Sequence, residues 1–150
     1  MSADTVFTIA NNGILIFWLL LIVAPRWRGT DLLVHSMAVP IVIGLTYIWL
    51  IMRSFTGEGA AGASFSSLQG VMAFFTSPVA ATAGWIHYLV FDLMIGAWES
   101  RDAQRRGLSH WAVIPCLIVT LVFGPIGFLL YLAIRAATGK GGWSLRETPA

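Results

Sequence analysis

Val6-Phe7-Thr8-Ile9-Ala10-Asn11-Asn12-Gly13-Ile14-Leu15-Ile16-Phe17-Trp18-Leu19-Leu20-Leu21-Ile22-Val23 carries no charged side chain and ends against Ala24-Pro25. At about 1.5 Å per residue, a helix of about 20 mainly apolar residues crosses the hydrocarbon of a bilayer. This run has that length, and Pro25 cannot continue a regular helix. A cleaved signal peptide would show a basic start and a small-residue cleavage site. Asp4 precedes the run instead, and Pro25-Arg26-Trp27-Arg28 follows it, so we read a retained helix. Asn11, Asn12 and Gly13 interrupt the run and are expected to turn toward protein.

Three further stretches have the same character. They run from Leu32 to Met52, from Ala80 to Trp98 and from Trp111 to Ala136. The second has Asp31 as its expected N-cap and Pro40 as an expected kink. The fourth contains Gly124-Pro125-Ile126-Gly127, which should bend or break it. Membrane bundles accommodate such breaks where neighbours satisfy the freed backbone groups. Composition agrees: of 150 residues, 57% are apolar and 11% charged, against about 25% charged in a soluble domain. The reading is one all-α membrane domain over 1–150, a bundle of four transmembrane helices, with a flexible tail from 138 to 150.

The connections are unequal. The first is short and basic, with Arg26 and Arg28. The second, Arg53 to Ser77, opens with a Gly/Ala-rich loop and continues into a segment with Leu68, Val71, Met72 and Phe75 on one helical face. That segment reads either as a short interfacial helix on the bilayer or as a short core helix. The third, Glu99 to Ser109, is densely charged. Arg26, Arg28, Arg101, Arg105 and Arg106 fall on one side, and Arg53, Arg135, Lys140 and Arg146 on the other. The denser short loops are expected in the cytoplasm, with both termini outside. Most tryptophans, Trp18 among them, fall near span ends as in an aromatic belt. Trp85 lies about a turn inside the third span.

Polar residues within spans are the informative ones, because their burial in lipid is costly. The third span reads Gly84-Trp85-Ile86-His87-Tyr88-Leu89-Val90-Phe91-Asp92-Leu93-Met94-Ile95-Gly96-Ala97-Trp98-Glu99. Trp85, Tyr88, Asp92 and Glu99 share one stripe, and His87 shares another with Phe91, Met94 and Trp98. Asp92 reads either as a proton donor to an apolar substrate or as an interhelical lock. Glu99 reads as a solvated helix end. His35, with Ser36, is placed about a turn into the second helix. His35 and Asn11 are expected to meet the polar stripe, or simply to pack a small polar interface.

The sequence excludes several classes. His35, His87 and His110 are scattered, with no paired spacing for a metal. There is no Gly-x-Ser-x-Gly, no Cys-x-x-Cys and no Gly-rich phosphate loop. No basic run interleaved with aromatics suggests nucleic acid. Cys116 is the one cysteine, so no internal disulfide forms. No metal and no cofactor is expected. Four spans without a repeated pair of broken helices argue against a transporter.

From Phe7 to Ala137 the chain resembles the small membrane proteins related to plant neoxanthin synthase, a family named for an abscisic-acid-deficient mutant. The resemblance is carried by Asn11, Trp18, Ala24-Pro25-Arg26-Trp27, Pro40, Tyr47, Ser67-Leu68 and a phenylalanine pair ahead of Pro78. It continues through Gly84-Trp85-Ile86-His87-Tyr88, Phe91-Asp92-Leu93, Gly96 and Trp98, and closes with Phe123-Gly124-Pro125-Ile126-Gly127. It implies a place in carotenoid metabolism, as an isomerase turning an epoxy-xanthophyll or related isoprenoid into its allenic isomer without a cofactor. Asp92 and His87 would be its acid and base. Trp85, Tyr88, Phe91, His35, Asn11 and Trp98 would line the substrate site. No transit peptide precedes the first span, so a bacterial inner (cytoplasmic) membrane is expected. The competing expectation is a pigment- or lipid-binding membrane protein, as a homo-oligomer or as a subunit of a bioenergetic complex.

Overall fold

The computed structural model describes residues 1–142, 144 and 145. All regular structure among them is helical: α1 Ala3–Val23, α2 Arg28–Leu33, α3 Ala38–Arg53 with a π-turn over Ser54–Glu58, α4 Leu68–Phe74, α5 Pro78–Arg106, α6 His110–Phe123 and α7 Pro125–Ala137. Three helical stretches are long and apolar enough to cross a membrane: Ala3–Val23, Arg28–Glu58 and Pro78–Arg106. The stretch expected as a fourth span forms two shorter apolar helices, α6 and α7, meeting at Gly124. Gly124 has φ +33°, and Pro125 occupies the first position of α7. Proline is tolerated there because that N–H would have no intrahelical partner. The break expected of the Gly-Pro-Ile-Gly motif is therefore where the sequence places it.

The second stretch departs from expectation in an instructive way. Pro40 does not kink a continuous helix. It stands in the first turn of α3, which begins at Ala38. A proline ring clashes with the carbonyl four residues earlier, so the helix cannot run unbroken through Ser36. The chain consequently opens between α2 and α3. His35 and Ser36 lie in that opening rather than a turn inside a helix. Asp31 sits in the first turn of α2, whose N-cap is Trp27, so it caps no long span. The third connection is also shorter than expected. Glu99 to Arg106 continues α5, and the charged residues read as a loop are helical.

The chain forms two compact units, Met1–Leu15 with Met37–Val90, and Ile16–Ser36 with Phe91–Ala150. In the first, Val6, Leu50, Val79, Ala83 and Ile86 form a buried cluster, with Ala3, Ala10, Ile43, Tyr47 and Ile51 packed against it. Arg53 ties α3 to the start of the chain. Its Nε donates to Glu58 at 2.7 Å and its Nη1 to the Met1 carbonyl at 3.1 Å, and its guanidinium lies over the Trp49 ring. α4 exists where the apolar face was read, capped by the Ser67 hydroxyl on the Gly70 N–H. Leu68, Met72 and Phe75 on that face are exposed.

In the second unit, Trp18 is buried against Gly96. It is thus a packing residue rather than a member of an aromatic belt. A side chain at position 96 would come within 2.6 Å of the Trp18 ring. α6 and α7 approach closely where Gly127 meets the backbone of Thr120. His110 Nε2 donates to the Ile22 carbonyl at 2.7 Å, and Gln104 to that of Pro25 at 3.3 Å. Outer helix faces are apolar and exposed, as with Ile9, Ile16, Leu19 and Val23 of α1 and Ile41, Val42, Leu45 and Met52 of α3. Such faces suit lipid rather than water. α5 is the most enclosed helix: 50% of its apolar window is buried, against 22% in Ala3–Val23. It is also the helix that carries the polar stripe.

Candidate functional site

In the first unit, α1 and α5 build an aromatic groove. Pro78, Ala81, Thr82, Gly84, Trp85 and Tyr88 recur at helical spacing along one face of α5, opposite Asp4 and Phe7 of α1, with Phe75 at the edge. The volume is about 640 Å³. Trp85 is its organiser. Its Nε1–H donates to the Asn11 side-chain oxygen at 3.0 Å. Its ring lies 5.7 Å from that of Phe7 and 5.2 Å from that of Tyr88. Trp85 is exposed, and the hydrogen bond from its indole N–H to Asn11 helps to set the plane of the ring. Gly84 leaves room for Phe75, whose ring would lie 3.3 Å from a side chain there. His87 belongs to this unit too. It is exposed, with its ring 5.9 Å from that of Tyr47.

The second unit holds the carboxyls. Asp92 is half-buried and lies on Gly124, where α6 gives way to α7. A side chain at 124 would meet its Oδ1 at 2.7 Å. Two turns on, Glu99 is wholly buried and accepts from the Thr120 hydroxyl at 3.0 Å. The expectation of a solvated helix end is therefore wrong for Glu99: α5 extends past it, and α6 covers it. Asp102 is also buried. It accepts from Arg106 Nε at 2.7 Å, from the Tyr131 hydroxyl at 2.7 Å and from Arg135 Nη1 at 2.9 Å. Arg135 Nη2 donates in turn to the carbonyls of Gly142 and Ser144, at 2.8 Å each. Trp98 packs edge-on against Tyr131 and Phe128, with the Arg135 guanidinium 5.9 Å from its ring.

The sequence-predicted residues thus divide. Asn11, Trp85 and Tyr88 come together at the groove. Asp92, Phe91, Trp98 and His35 belong to the second unit. Phe91 is exposed there, and His35 Nδ1 takes a hydrogen bond from Arg101 Nη1 at 3.1 Å. Sequence reasoning missed Phe7, Phe75 and Asp4, and it missed the Asp102–Tyr131–Arg135 network. One signal for that network was visible. Gly127, Tyr131 and Arg135 recur at i, i+4 and are the buried residues of α7, so an arginine continuing a buried stripe points inward. Among the described residues, no group of three or more His, Cys, Asp or Glu could hold a metal ion.

Comparison with known proteins places these features in a family. The sequence model of the ABA DEFICIENT 4-like family matches residues 5–131, which include the groove residues other than Asp4, and Asp92, Glu99, Asp102 and Tyr131 of the second unit. The chain is 28% identical, over 141 residues, to "Protein ABA DEFICIENT 4, chloroplastic" of Arabidopsis thaliana. That match covers 89% of this chain and 62% of the relative, so the chain spans less than two thirds of the curated protein's length. No solved structure matches. The family match covers most of the chain, from the groove's α1 face to Tyr131 of α7, and this protein belongs to the ABA DEFICIENT 4-like family.

Proposed function

We propose that this protein is a four-pass integral membrane protein that binds a carotenoid-like isoprenoid and isomerises it by acid–base chemistry. The observation that carries the reading is the groove of Phe7, Phe75, Trp85 and Tyr88, with the Trp85 ring pinned by Asn11. Ligand sites are mostly apolar and aromatic, with a few placed polar groups. A long apolar rod partitions into the bilayer, so a groove on the side of spanning helices receives it without passage through water. Family membership supports the carotenoid class.

The reaction is redox-neutral. The epoxide C–O bond breaks and its oxygen gains a proton, while a neighbouring carbon loses one and the electron pair left behind forms the new double bond. General acid catalysis suits Asp92, and general base catalysis suits His87. The two assignments are independent and are tested separately, by Asp92→Asn and His87→Gln. Protein reconstituted in liposomes with an epoxy-carotenoid should yield a product of unchanged mass and altered retention. Each variant should keep pigment binding and lose turnover. No product from wild-type protein that has bound the pigment would sink the enzymatic reading.

One observation favours a second reading, a pigment-binding protein without turnover. The polar groups lining the groove are Asp4, Thr82 and Tyr88, and the lining includes neither His87 nor Asp92. Stoichiometric pigment recovered chemically unchanged would decide for binding.

A further inference from the structure

Glu99 is ionisable, lies on α5, a helix long and apolar enough to cross a membrane, and is 0% exposed. Its Oε1 accepts from the Thr120 hydroxyl at 3.0 Å, and its Oε2 is buried with no hydrogen-bond partner. The groups facing it are few. α6 offers Thr120 and the buried, uncharged Cys116. On its own helix Asp92 adds negative field, and Asp102 lies one turn on. The buried guanidiniums of Arg106 and Arg135 are both directed at Asp102. Among the described residues, no cation pairs with Glu99.

An ionised carboxylate in that setting is strongly disfavoured, because one hydroxyl does not replace a solvation shell and a second carboxyl worsens the field. The site therefore needs a cation. The Oε2 atom is enclosed by protein, and a metal ion would need a coordination sphere of further ligands beside it. A proton needs none. We propose that Glu99 is an intramembrane proton-binding site, holding one proton on Oε2 as a neutral carboxylic acid while Thr120 donates to Oε1. This site is separate from the groove and independent of the isomerase reading.

Infrared spectroscopy of the full chain in liposomes at neutral pH tests it without any substrate. Wild-type protein should show the C=O stretch of a protonated, buried carboxyl, absent from Glu99→Gln. Thr120→Val, which removes the donor to Oε1 and keeps the acid, should shift that band without abolishing it. Replacing sodium with choline should leave it unchanged. Glu99→Gln reproduces the shape of the neutral acid and should fold and melt as wild type does. A spectrum in which Glu99→Gln removes only carboxylate absorption overturns the proposal. So does a band that appears or vanishes with sodium. Should the Gln variant fail to fold, the Thr120→Val shift decides alone, and an unmoved band overturns the assignment.

Discussion

Replacing Asp102 with Asn tests the heart of the second unit. Asp102 is the anion on which Arg106, Arg135 and Tyr131 converge, at 2.7, 2.9 and 2.7 Å. Its side chain is fully buried, and those of Arg106 and Arg135 are 7% and 2% exposed. Asparagine keeps the shape but removes the charge, and it turns an NH₂ donor toward other donors. Removing one partner of a buried ion pair costs about 3–5 kcal/mol, because the remaining charge stays buried without compensation. At about 2–4 °C per kcal/mol for a chain of this size, the melting temperature should fall by about 6–20 °C. Tryptophan fluorescence on heating in detergent reads this directly. Tyr131→Phe removes one hydrogen bond to the same anion and should cost about 1.5–3 kcal/mol. The double variant should cost less than the sum, since both changes act on one anion. A drop below about 2 °C for Asp102→Asn would show that the network carries no such load.

Gly96→Ala should lower stability by about 1–3 kcal/mol, the usual cost of overpacking, because its methyl would press on the Trp18 ring. Trp18→Phe in the same chain should recover part of the loss in a thermal melt. Asn11→Ala strips the acceptor from the Trp85 indole and should weaken pigment binding about fivefold, the equivalent of one neutral hydrogen bond, as read by absorbance titration. Spin labels at Leu68, Met72 and Phe75 should report lipid contact. Free aqueous mobility there would refute a surface-lying α4. Arg135→Met should expose the chain around Gly142 and Ser144, whose carbonyls it holds, to added protease, and an unchanged digestion pattern would count against that anchoring.

Apolar runs and turn chemistry make the helices legible in the sequence. Val6 to Val23 and Ala80 to Trp98 fall inside observed helices, and Gly124-Pro125 marks an observed break. The sequence was less informative where one residue has two physical outcomes. Pro40 was expected as a kink within a long helix, but a proline is equally at home in a first turn, and α3 starts at Ala38. Charges at a span end were harder still. Glu99, Asp102 and Arg106 look like a solvated loop, because composition counts charges and does not show that Thr120, Tyr131 and Arg135 arrive from α6 and α7 to meet them. On the site, Asn11, Trp85 and Tyr88 were readable as polar or amphipathic residues within spans. Phe7 and Phe75 were not, since a phenylalanine in an apolar run carries no mark of what it faces.

The three carboxyls of α5 separate by what surrounds each of them. Asp102 has three donors, two of them guanidiniums. It is held as an anion, and a group so saturated has no capacity left for a ligand, so it acts as a lock. Glu99 has one hydroxyl and no cation among the described residues, which favours the neutral acid. Asp92 is half-buried on Gly124 at the α6–α7 break, where α7 begins and its first N–H groups favour nearby negative charge. Its Oδ2 is enclosed by protein, as Glu99 Oε2 is, although the residue as a whole is only half-buried. One helix face can thus carry carboxyls in three different settings, because α6 and α7 present different groups at each successive turn. Asp92→Asn therefore tests the proposed acid directly: loss of turnover with unchanged melting supports that role, and loss of stability alone marks Asp92 as a lock between α5 and the α6–α7 break.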